Sequence, residues 1–120
     1  MGFFSNRKSA SVWKTGKNHA DAGNFEKALV YFDDAARLTT DRKQLYDYRT
    51  WYYLTKALSC CKSGDLGDAK SSMVSAFLEL QNFKDECEKT RSAITFNVYY
   101  RIMQEFMDKY DEYFKLIDRS

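Results

Sequence analysis

Apolar side chains return along this chain at intervals of three and four residues, and polar residues fill the positions between them. Phe25, Ala28, Phe32 and Ala35 form one such set, and Ala69, Met73 and Ala76 form another. That period is the signature of helices with one buried face. Alternating β-branched runs are absent, so strands are not expected. The chain has no proline, and Gly23, Gly64 and Gly67 fall between the periodic runs, as turns joining helices would require. The pattern predicts helices over about 10–22, 25–38, 42–62, 66–80 and 86–117. Thr39, Thr40 and Asp41 are suited to capping the third, and a weaker break falls at 81–85. Four segments result: a basic flexible arm over 1–8, a first hairpin over 9–40, a longer second hairpin over 41–82, and one long helix within 83–120.

The two hairpins repeat one another. From Gly23 and from Gly64 the sequence shows Gly, then Asn or Asp, an apolar residue, Ala, Phe or Met, and Ala, at offsets 0, 1, 2, 5, 9 and 12. Glycine permits the left-handed residue that ends a helix, and Asn or Asp can cap the next one. The two alanines flank the large residue on a single face, where they let helices approach closely. On these residues the chain resembles the tetratricopeptide repeat family over about 9–80. Gly16 stands seven places before Gly23, as in the family pattern, Ala28 and Phe32 match its A-x3-F element, and Ala57 takes the place of Gly16 in the second hairpin. Trp13 is one place late, Thr15 replaces the usual Leu and Thr40 the usual Pro. The repeat length is 41 residues, against about 34 in the family. The resemblance implies an all-α fold, an α-solenoid fragment of about five helices, with a long C-terminal capping helix. It also implies a protein-protein interaction module, an adaptor, chaperone or regulator, whose groove binds a peptide or helix of a protein partner. The groove would be lined by Trp13, Lys17 and Asp21 with Ala10 and Ala20, and by Trp51, Leu54, Leu58 and Lys62 with Cys61. The alternative for the two tryptophans is that they fill core against the last helix. Lys14 and Asn18 sit one place off the carboxylate-gripping positions of the chaperone-tail binders in this family, so that ligand is not expected.

The last helix carries its own pattern. Phe96, Tyr99, Met103, Phe106, Tyr110, Tyr113 and Ile117 are spaced 3, 4, 3, 4, 3, 4, and Tyr100, Met107 and Phe114 widen the stripe. Such a stripe suits a helix buried against several others. A straight helix over 86–117 would reach nearly ~50 Å at ~1.5 Å per residue, beyond the height of a hairpin. Three outcomes are open: a homodimer through this helix, a protein partner laid along it, or a bent helix that caps its own chain.

Composition trims the functional classes. Of 120 residues 44% are hydrophobic and 17% aromatic, enough for one core. The net charge is +2, low for a general nucleic-acid binder, but residues 1–20 hold Arg7, Lys8, Lys14 and Lys17 and no acid. Beside Phe3 and Phe4, those charges offer an alternative function, contact with an anionic membrane surface or with nucleic acid through the arm. Cys60, Cys61 and Cys87 do not make a disulfide framework. They read as reduced thiols of a cytoplasmic protein. No run approaches the ~20 apolar residues of a membrane span, and Ser5 is one place early for a myristoylation motif. One histidine, His19, without a second ligand at metal spacing predicts no metal site, and a packing role for its ring. No phosphate loop, nucleophile elbow or dinucleotide motif occurs. Neither enzymatic activity nor a cofactor is expected.

Overall fold

The computed structural model describes the backbone of residues 2–91 and 93–119, and the side chains of 5–91 and 96–119. Among the described residues there is no strand. Six helices follow one another: α1 (Gly2–Asp21), α2 (Phe25–Leu38), α3 (Arg42–Lys62), α4 (Leu66–Lys89), α5 (Ala93–Lys109) and α6 (Asp111–Arg119). Helices α1 and α2 form one antiparallel hairpin, α3 and α4 a second, and α2 packs on α3.

The two hairpin turns are built alike. Gly23 and Gly64 take φ of 82° and 84°. In the first turn Gly23 N–H donates to Ala20 O at 3.0 Å and Asn24 N–H to His19 O at 2.8 Å; in the second Gly64 N–H donates to Cys61 O at 3.1 Å and Asp65 N–H to Cys60 O at 2.8 Å. This paired closure satisfies the last carbonyls of the first helix and needs the left-handed residue that glycine supplies. Asp65 then caps α4 through Asp68 N–H, whereas the Asn24 side chain makes no capping bond. Asp41 caps α3 by accepting from Lys43 and Gln44 N–H, as its place in the sequence predicts.

The repeated small residues face inward. Ala28, Ala35, Ala69 and Ala76 are all buried, as are Phe32 and Met73 between them. At Gly16 a methyl group would stand 2.9 Å from the Phe32 ring and 3.0 Å from Tyr31 Cβ, so glycine there sets how closely α1 and α2 approach.

Three boundaries differ from the sequence expectation. The first helix starts at Gly2 rather than near Ala10, taking in residues read as a flexible arm. Its anchor is Asn6, whose Oδ1 accepts from Thr40 N–H at 2.8 Å, while buried Ser9 donates to Asn6 O. The Phe3 and Phe4 side chains lie outside the described residues. The fourth helix runs through 81–85 to Lys89, because Phe83 and Cys87 continue its buried face beyond Ala76 and Gln81 bonds Asp85 along the helix. The single helix expected over 86–117 is instead divided twice: its first residues end α4 at Lys89, Arg91 takes a φ of 57°, and α5 and α6 follow as separate helices. The second break is at Tyr110, where Tyr113 and Phe114 N–H both donate back to Tyr110 O. Six helices therefore replace about five.

Candidate functional site

Helix α3 lies at the centre. Tyr48, Thr50, Trp51, Leu54, Thr55, Ala57, Leu58 and Cys61 are buried, which leaves only a narrow strip of the helix toward solvent. A helix apolar on most sides belongs between neighbours. Here they are α2 and α4 on its flanks and Trp13 of α1, α5 and α6 across its remaining face.

That remaining face and the adjoining face of α1 form the groove proposed from sequence, and α5 and α6 occupy it. Trp51 is fully buried and meets Phe106 edge-on at 5.2 Å and Tyr99 at 6.2 Å between ring centroids. Trp13, half-buried, meets the Trp51 ring at 6.3 Å and stacks on Tyr48. Edge-to-face contacts at these spacings are the favoured geometry of aromatic rings. The Lys17 ammonium lies 5.0 Å from the Trp51 ring centre and 5.1 Å from that of Phe106, and pairs with Asp21 at 2.6 Å. One cation thus joins α1, α3 and α5. Farther along, Tyr110 O–H donates to Ala20 O at 2.9 Å, the Lys109 ammonium donates to Asp21 O, and Phe25 packs edge-on against Tyr110. At the end of the groove the Cys61 thiol lies 3.6 Å from Tyr113 O.

Each residue assigned to the groove can now be placed. Trp51, Leu54 and Leu58 are sealed from solvent in the core they share with α5 and α6, with Trp51 against the Tyr99 and Phe106 rings of α5. Trp13 and Lys17 line the seam, Asp21 holds Lys17, and Lys62 is exposed with its ammonium 6.0 Å from the Phe25 ring. Of the C-terminal stripe, Tyr99, Met103, Phe106 and Ile117 are buried, and Phe96, Tyr110 and Tyr113 are half-buried against the same core. The groove set and the C-terminal stripe therefore face each other, and Trp51 follows the alternative reading, filling core against the last helices. His19 stacks on Tyr31 at 5.3 Å, a packing role.

One polar cluster was not anticipated. Between α3 and α5, Asp47 Oδ1, Trp51 Nε1 and Tyr99 Oη are sealed from solvent, and none makes a hydrogen bond of ordinary geometry. Burial pushes the Asp47 carboxyl up to about 8, against the weaker opposing pull of the Trp51 indole. Tyr99 is held well above the ordinary phenol range, first by burial and then by Asp47. The sequence offered one clue, an aspartate one turn before a tryptophan on the inner face of a helix. Burial likewise raises the Cys61 and Cys87 thiols. All three cysteines are free.

On the outside, α4 shows a strip of Val74, Phe77 and Leu78, 57%, 52% and 62% exposed. Spacing of three and four residues makes them neighbours on one face. Among the described residues no group of three potential metal ligands occurs, and no helix is long and apolar enough to cross a membrane.

Comparison of the chain with family models, curated proteins and solved structures finds no match.

Proposed function

We propose that this protein is a protein-binding module built on two tetratricopeptide-like hairpins, acting as an adaptor or regulator, and that its outward contact is the apolar face of α4. The hairpin reading is supported by the matched turns at Gly23 and Gly64, by the buried alanines at equivalent offsets and by the close approach at Gly16. The observation that carries the function is the strip of Val74, Phe77 and Leu78. Large apolar side chains set side by side and more than half exposed are what protein interfaces bury. Of the groove set Trp13, Lys17, Asp21, Trp51, Leu54, Leu58 and Lys62, the buried Trp51, Leu54 and Leu58 are open to a partner only when α5 and α6 leave. The basic residues near the start have a competing structural role beside them, since Asn6 ties that turn of α1 to Thr40 in the α2–α3 connection and Ser9 ties it to Gln44 at the start of α3.

A photo-crosslinking residue placed at Phe77, with one at the exposed Glu26 as control, tests this in cells that express the protein. The expected result is discrete protein adducts from position 77, lost when Leu78→Asp is added and with the melting temperature unchanged. Equal labelling from both positions would rule the α4 surface out.

A further inference from the structure

We propose that α5 and α6 can leave their own groove and enter that of a second copy, giving an exchanged dimer whose hinge is Arg91. The occupant is thus a second copy of this chain, and the inference is independent of what binds α4.

The hinge is the first observation. Arg91 has φ 57°, the one non-glycine residue with positive φ among those described. A residue with a Cβ enters that region at a cost, and the cost is released if the residue becomes helical. Nothing in the local sequence opposes that change. From Glu88 to Ala93 there is neither Gly nor Pro. Thr90 already bonds as a helical residue, its N–H donating to Glu86 O at 3.1 Å and its hydroxyl to the same carbonyl at 3.0 Å. With Arg91 helical and the helix carried on to Ala93, α4 and α5 would form one rod. The chain could then no longer fold back to bring Tyr99 within 4.5 Å of Phe83.

The second observation is what holds α5 and α6 down. They rest on the hairpins through ring contacts and a few side-chain bonds to carbonyls, at Trp51, Lys17, Ala20, Asp21 and Cys61. All of these are on the hairpin side of the hinge, so a second chain's groove supplies every one of them again. The rod form of a single chain leaves Tyr99, Met103 and Phe106 in water beside an empty groove, and pairing removes both defects at once. The closed monomer and the exchanged dimer thus share their contacts and differ in the hinge, in any new contact between the rods and in the entropy of association. Short hinges under strain shift that balance toward exchange.

Arg91 is exposed, so its side chain can be changed without touching the core. Arg91→Gly relaxes the closed turn and weakens the rod, and should raise the dimer dissociation constant roughly tenfold or more, because each dimer carries two hinges. Arg91→Ile strains the closed turn further and should lower it, since β-branched residues resist positive φ. Light scattering over a concentration series reads both. To locate the exchanged part, ¹⁴N and ¹⁵N chains are refolded together and treated with a short lysine crosslinker. Lys17 and Lys109 both lie against Asp21. Dimers carrying mixed-isotope Lys17–Lys109 peptides, with only unmixed ones in the monomer, are the expected result. Dimers with unmixed peptides alone, or Arg91→Ile remaining monomeric at millimolar concentration, would overturn the proposal.

Discussion

Asp47 shows how much one buried atom can set. Its carboxyl is pushed up to about 8 in the folded chain, against about 3.9 for an unfolded aspartate. Between those values the unfolded chain has released the proton and the folded chain holds it, so stability falls as pH rises from about 4 to about 8 and levels off above. Asp47→Asn keeps the shape and cannot ionise. In urea titrations its advantage over the parent should grow with pH and reach roughly 2 kcal/mol or more at pH 8.5; a pH-independent difference would mean that the carboxyl is solvated. Asp47 stands between Tyr46 and Tyr48 in the sequence, and nothing local marks its carboxyl as buried, since an aspartate ordinarily sits on a solvent face. Its burial comes with tertiary packing that brings Tyr99 of α5 beside it. The alanines of the repeat were legible for the opposite reason. Their offsets within a hairpin are local, and a helix fixes which of its own residues share a face.

At the scale of elements, the turns were read correctly where chemistry marks them and wrongly where it does not. Gly23, Gly64 and Asp41 announce themselves, and the chain turns at each. Gly64→Ala meets no neighbouring atom within 4 Å, so its cost is purely one of backbone conformation at φ 84°. Thermal melts should show a loss of about 1 kcal/mol. Gly16→Ala sits at ordinary backbone angles but drives a methyl into Phe32 and should cost about 1–3 kcal/mol. If the two variants melted alike, the close approach of α1 to α2 would not be what glycine serves at 16. The reversal between α4 and α5 was missed, because a non-glycine left-handed turn leaves no compositional trace. The polar run 81–85 looked like a break, yet Phe83 keeps that stretch helical by burying its ring against Tyr99 and Phe96. The kink at Tyr110 was equally silent, since the heptad spacing runs through it without interruption.

For the whole molecule the decisive relation is between parts far apart in sequence. The groove residues of α1 and α3 and the stripe of α5 and α6 were each visible as apolar faces in search of cover. That they cover each other depends on the direction taken after Arg91, which no local pattern specifies. Chains ending at Lys89 should therefore keep their helical circular dichroism while binding the dye ANS strongly and associating at micromolar concentration, because Trp51, Leu54 and Leu58 would lie bare. A truncated chain that stays monomeric and binds no dye would show the hairpins closing over these residues unaided. The placement of the indoles has an optical consequence. Trp13 and Trp51 are the only tryptophans, and both sit where the first, third and fifth helices meet, with the Lys17 charge above the Trp51 ring. Emission from this protein is consequently a gauge of whether its tail is seated. It should shift to longer wavelength when the last two helices come away, and stay constant when only the free surface of α4 is engaged.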